Sequence, residues 1–100
     1  MTEYDLVKIF KALADKTRQE ILDMLGADEK SVNDICAEFN ISQPTISHHL
    51  HILKNCDLVD YRKQGKHIYY YVRREIINDV FGNVIRKMRI DIVRDGEKEK

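Results

Sequence analysis

Residues 42–53 read Ser-Gln-Pro-Thr-Ile-Ser-His-His-Leu-His-Ile-Leu, and the architecture of the chain turns on them. Ile46, Leu50 and Leu53 stand at i, i+4 and i+7, so they share one stripe of a helix. Gln43, Ser47, His48 and His51 fall on or near the other side, and all can hydrogen-bond. The helix should begin with Ser42 or Gln43 as its cap and end near Asn55. Pro44 is tolerated in a first turn, where its missing N–H has no carbonyl to serve, although it disfavours helical geometry at Gln43. A short helix with an apolar back and a hydrogen-bonding front suits the major groove of DNA.

The flanks build a context around it. Upstream, Ser31-Val-Asn-Asp34 has capping-box spacing, with Asp in place of Glu. Val32, Ile35, Cys36 and Phe39 then form a second apolar stripe, and Asn40-Ile41 makes a tight connection. Two helices joined by so short a turn form a helix-turn-helix over residues 31–55. Downstream, Val59–Gln64 and Lys66–Val72 change to a two-residue period and are rich in β-branched and aromatic residues, with Gly65 between them. This predicts a β-hairpin within residues 58–72 whose tip is basic through Arg62, Lys63 and Lys66. A helix-turn-helix followed by such a hairpin is a winged helix.

Further out, Leu6, Val7, Ile9, Phe10 and Leu13 predict a first helix from about Glu3. Asp15 caps a second that runs to about Leu25, with Ile21, Leu22 and Leu25 buried and Gly26 as its stop. Gly26 to Lys30 reads as a polar loop. Ile76, Ile77, Val80, Phe81, Val84, Ile85, Met88 and Ile92 predict a last helix over residues 74–95 with more than one apolar face. The expected architecture is therefore mainly α with a small hairpin wing, about five helices in a single domain over residues 1–100. The three-helix core has apolar stripes of its own. Apolar surface left over on the first and last helices predicts a homodimer joined through Leu6, Phe10, Ile77, Phe81, Val84 and Met88.

Composition narrows the function. At 43% hydrophobic and 34% charged, the chain has the make-up of an ordinary soluble domain. No apolar run reaches the roughly 20 residues of a membrane helix, and the first residues carry acid where a secretory signal carries base. A cytoplasmic protein is expected. Net charge is zero, but it is unevenly spread. Residues 1–41 hold five basic and nine acidic side chains, whereas residues 42–74 hold six basic and two acidic. The basic third contains the helix described first, and a local basic patch is what phosphate contact requires.

The candidate DNA contacts are Ser42, Gln43, Thr45, Ser47, His48 and His51 on the helix and Arg62, Lys63 and Lys66 on the wing. Gln reads adenine in a bidentate way, Ser and Thr bond bases or phosphates, and the wing cations meet phosphate or the minor groove. His48 and His51 lie one turn apart, yet no Cys or acid shares that turn, so no metal site is expected there. His49 lies nearer the apolar stripe and reads as a packed, hydrogen-bonded histidine. Cys36 lies in a core stripe and Cys56 at a helix end, and buried cysteine usually acts as a small hydrophobe. The rival reading is a sensor that uses Cys36 and Cys56 as redox or metal-binding thiols. No phosphate-binding Gly loop, metal triad or activated nucleophile points to an enzyme, and no cofactor is expected.

Three segments carry a resemblance: Phe10-Lys-Ala-Leu-Ala-Asp-Lys-Thr-Arg18, Ser42-Gln-Pro-Thr-Ile-Ser-His-His-Leu50 and Gly65-Lys-His-Ile-Tyr-Tyr70. In this order they resemble the ArsR/SmtB family of winged-helix repressors over roughly residues 5–75. The resemblance implies a homodimer with each recognition helix in a major groove of a palindromic operator, and repression relieved by a signal. It also marks departures. Where metal sensors of this family often carry a Cys-x-Cys pair, this chain has Ser31 and Asn33, with only the neighbouring Cys36. Other members use Asp and His ligands on paired last helices, and residues 74–95 contain no His. The family's usual Gly at the end of the recognition helix is Asp57 here, preceded by Cys56.

Overall fold

The computed structural model describes residues 4–89. Helix α1 (Leu6–Leu13) begins at Asp5, whose side chain accepts from the Lys8 amide. The expected start near Glu3 is thus replaced by a cap two residues later. Helix α2 (Lys16–Ala27) is capped by Asp15, which accepts from the Arg18 amide at 3.0 Å. It runs past Gly26 to Ala27, with Asp28 as C-cap in extended geometry. Gly26 is therefore not the stop that its position suggests. Its φ is not positive, and its carbonyl accepts instead from Arg74 Nη2 at 2.6 Å, so a distant side chain does the work of a glycine cap.

A two-residue strand, β1 (Lys30–Ser31), lies within the expected loop. Helix α3 (Val32–Phe39) opens on Ser31 with both halves of the capping box formed. It closes on Asn40 at φ 54°, the left-handed geometry that Asn tolerates. Helix α4 (Gln43–Asn55) follows, then strands β2 (Val59–Gln64) and β3 (His67–Val72), and helix α5 (Arg74–Lys87). The strands form an antiparallel sheet in the order β1-β3-β2, with Ser31 opposite Tyr69 and Arg62 opposite Tyr69 from the other side. The hairpin turns on Gly65 at φ 62°, where L side chains are strained. This is the winged helix-turn-helix that the sequence predicts.

The core gathers between α2, α3, α4 and the base of the wing. Ile46, Leu50 and Leu53 of α4 are fully buried, together with Ile21, Leu25, Ile35, Leu58, Val59 and Val80. Ile9 and Ala12 of α1 complete it. Among the described residues no helix is long and apolar enough to cross a membrane. Helix α5 ends earlier than expected: Met88 is its C-cap and Arg89 has φ 56°. A left-handed residue ends a helix wherever it occurs, and here neither Gly nor Pro announces it. Ile92 and the rest of the predicted span lie outside the described residues.

Asp57 has φ 63° between α4 and the wing. Its amide donates to the Lys54 carbonyl at 2.9 Å and the next amide, Leu58, donates to Leu53 at 3.1 Å, so the last carbonyls of α4 are satisfied. The conformation is one that glycine adopts without steric cost. Asp57→Gly should therefore raise the urea midpoint, with a gain of about 0.5 kcal/mol after the extra entropy of an unfolded glycine. A lower midpoint would show that the aspartate side chain contributes more than its strained backbone costs.

Candidate nucleic-acid interface

Helix α4 carries its polar residues outward because its apolar ones are held inward. With Ile46, Leu50 and Leu53 buried, Ser42, Gln43, Thr45, Ser47, His48 and His51 are all exposed. Ser42 is the N-cap by backbone geometry but makes no side-chain cap; its hydroxyl donates to Thr45 Oγ1 at 3.0 Å. No side chain therefore covers the first-turn N–H groups of α4, which are donors suited to an anion. Asn55 Nδ2 donates to His51 Nε2 at 3.1 Å, which orients that ring.

The front of α4 is joined by two neighbours. A notch is lined by Ser31 and Asn33 at the start of α3, Gln43 at the start of α4, and Lys66, His67 and Ile68 at the wing tip. The hairpin thus stands beside the N-terminal turns of both helices of the helix-turn-helix. Asn33 and His67 are exposed members of this group that sequence reasoning misses. The cap at Ser31 and the basic tip are visible separately in the sequence, but only the fold brings them to one groove.

The three cations of the wing are not equivalent. Lys63 and Lys66 have no ion partner among the described residues. Arg62 is occupied: its Nη2 and Nε donate to the two carboxylate oxygens of Glu29 at 2.6 and 2.9 Å. Its hydrogen bond to Glu29 holds that carboxyl below the usual range for glutamate. The sequence predicts three uncommitted contacts at the wing tip, and the structure commits one of them to a carboxylate.

A clamp behind α4 sets the helix's position. Arg18 Nε donates to the Ala12 carbonyl at 2.6 Å and Nη2 to the Lys11 carbonyl at 3.2 Å, closing the corner between α1 and α2. Its third nitrogen, Nη1, lies 3.2 Å from His49 Nδ1 on the inner edge of α4. Because guanidinium only donates, Nδ1 accepts and the neutral ring carries its proton on Nε2. His49 is the packed, hydrogen-bonded histidine expected from its place near the stripe. Asp15 Oδ2 lies 3.9 Å from the same nitrogen.

Burial pulls the His49 pKa below its ordinary value; Asp15 opposes this, while Arg18 and His48 add to it. The unfolded chain then binds the proton more readily than the folded one. The stability tied to neutral His49 is present above the unfolded value of 6.5 and is lost as pH falls below it towards the depressed folded value.

The thiols offer little chemistry. Cys56 is buried, with Sγ 3.5 Å from the Leu53 carbonyl and 3.6 Å from that of Ile52, and burial pushes its pKa up. A raised pKa leaves less of the reactive thiolate. Cys36 is half-buried and unpaired with Cys56. Among the described residues no three His, Cys, Asp or Glu side chains gather into a potential metal site.

The expected interface residues divide by exposure. Phe10, Phe81 and Met88 are exposed to 42%, 37% and 62%, and Val7 of α1 to 65%. Leu6 and Ile77 are half-buried because they already pack against the core, and Val84 is half-buried too. Apolar surface thus remains on both terminal helices after the monomer has folded.

Comparison with known proteins gives this geometry a setting. A family model described as "Bacterial regulatory protein, arsR family" matches residues 15–61, from the cap of α2 into the wing. The transcriptional repressor SdpR of Bacillus subtilis is 42% identical over 71 residues, spanning 71% of this chain and 79% of that protein. An ArsR-like transcriptional regulator from Rhodococcus sp. RHA1 superposes with a TM-score of 0.78 at 32% identity, covering 84% of this chain and 77% of that one. The homodimeric winged helix-turn-helix DNA-binding domain of a possible ArsR-family regulator from Mycobacterium bovis, solved by NMR, gives a TM-score of 0.70 at 31% identity. It covers 84% of this chain and 78% of that one.

His49→Asn keeps an acceptor near Arg18 but cannot titrate. Urea unfolding of the wild type should lose stability as pH falls below 6.5, and His49→Asn should flatten that loss. An equal pH slope in both proteins would show that His49 does not govern the loss.

Proposed function

The chain belongs to the arsR family of bacterial regulatory proteins, and from that premise we propose that it is a dimeric repressor whose paired α4 helices read a two-fold-symmetric operator. Members of this family regulate transcription and are not enzymes. The observation that carries the reading is the exposed polar face of α4 beside two wing lysines that have no partner among the described residues. Gln43, Ser47, His48 and His51 supply donors and acceptors for base edges, while Ser42, Thr45, Lys63 and Lys66 suit phosphate.

Dimerisation through α1 and α5 is supported by the exposed Phe10, Phe81 and Met88 and by the homodimeric state named for the Mycobacterium bovis domain. A C2 dimer presents two identical heads, and a groove on one side of the duplex recurs each turn, so half-sites should lie roughly 34–36 Å apart. We place the protein in the cytoplasm, where its DNA partner is. Burial of the Cys56 thiol, which raises its pKa, favours this plain repressor over a thiol sensor built on Cys36 and Cys56.

Base readers and phosphate contacts separate experimentally. Ser47→Ala and His48→Ala should each weaken operator binding by about 1–3 kcal/mol while leaving random-duplex affinity little changed. Lys63→Ala and Lys66→Ala should weaken binding to both duplexes and lower the slope of log K against log salt by about 0.9 for each phosphate no longer neutralised. Equal losses on operator and random DNA for the helix variants would refute base readout.

A further inference from the structure

Of the three cations at the tip of the wing, only Arg62 is engaged in an ion pair among the described residues, and it is engaged on every side. Glu29 fills the fork formed by Nε and Nη2 at 2.9 and 2.6 Å. Nη1 donates to Gln64 Oε1 at 2.7 Å, and the guanidinium lies over the Tyr69 ring, 5.0 Å from its centroid. Gln64 and Tyr69 therefore fix the plane of the guanidinium, and the edge formed by Nε and Nη2 presents two parallel donors, both taken by Glu29. That edge is the one arginine uses for carboxylate and for phosphate alike.

Glu29 is placed to act on this edge. It directly precedes β1, whose residues pair with β3, so the sheet itself carries the carboxylate to the wing. The pair is accessible, with side chains exposed to 44% and 35%. Both side chains are reached by solvent, so another anion can compete with the carboxylate for the guanidinium edge. A duplex phosphate carries an advantage that Glu29 lacks, because neutralising it releases condensed counterions. The notch lined by Gln43, Lys66 and His67 puts the wing tip beside the recognition helix, and Arg62 belongs to strand β2 of the same hairpin, opposite Tyr69.

We propose that Glu29 is an internal competitor for the DNA backbone: its carboxylate occupies the Arg62 fork in the free protein, and a duplex phosphate replaces it on binding. The proposal rests on the DNA-binding reading above. Glu29 then moderates the wing's contribution to affinity while keeping Arg62 in the orientation that phosphate needs.

The test measures binding of the full chain to a random-sequence duplex across a salt series, for the wild type, Glu29→Gln, Arg62→Gln and the double variant. Thermal unfolding of each protein checks that it folds. Glu29→Gln should bind tighter by about two- to fivefold per wing at low salt, the range expected for releasing an exposed ion pair. Because Arg62 neutralises a phosphate in both complexes, the gain should appear mainly as tighter binding at each salt concentration, with little change of slope. In the Arg62→Gln background the same change should give little or no gain. A full gain in that background would mean that Glu29 acts only as a general negative charge, and would overturn the proposal. Weaker binding by folded Glu29→Gln would overturn it too, because the pair would then serve to hold the wing in place. A wild type with no salt-dependent affinity for any duplex would overturn the DNA-binding reading itself, and this is distinguishable because no variant is needed to see it.

Discussion

The buried stripe of Ile46, Leu50 and Leu53 is the contact from which the rest of the molecule takes its arrangement. A helix of 13 residues is marginal by itself in water, and α4 is a poor candidate, since its first turn contains Pro44 and its middle three histidines. Its stability is tertiary. Each fully buried aliphatic side chain contributes about 1.5–3 kcal/mol relative to exposure, and three on one stripe settle which side faces the core. The outward direction of Gln43, Ser47, His48 and His51 follows from that choice. The polar face is therefore a consequence of the packing of the apolar one.

Other contacts refine where this helix sits. Arg18 ties the carbonyls of Lys11 and Ala12 to His49, so the corner between α1 and α2 and the inner edge of α4 move together. The left-handed Asp57 turns the chain from α4 into the wing, and the Leu58 carbonyl then accepts from the Arg73 amide at 2.9 Å, fastening the end of the hairpin to its start. Recognition helix, wing and terminal helices thus form a connected set.

What is legible in the sequence follows from local periodicity. The stripes of α3 and α4, the cap at Ser31 and the alternation around Gly65 each depend on residues a few positions apart, and the winged helix-turn-helix is readable from them. Features made by distant residues are not. Lys30-Ser31 is too short to show a period and becomes a strand only because β3 lies beside it. Gly26 looks like a stop, yet Arg74 caps the carbonyl there from 48 positions away. Arg62 matches Lys63 and Lys66 as a basic residue, and nothing near it in sequence announces Glu29. The same limit applies to the candidate site. Its α4 face is legible because exposure follows from the stripe, whereas Asn33 and His67 join it only through the placement of the wing.

If the protein works as proposed, two copies of the same polar helix face meet DNA together. Selection of bound duplexes from a random pool by the full chain tests this without assuming an operator. A dimer with paired α4 helices should recover a two-fold-symmetric motif whose half-site centres lie about 10 base pairs apart, one turn of the duplex. Recovery of no preferred sequence, or of a single unrepeated site, would rule out paired reading heads.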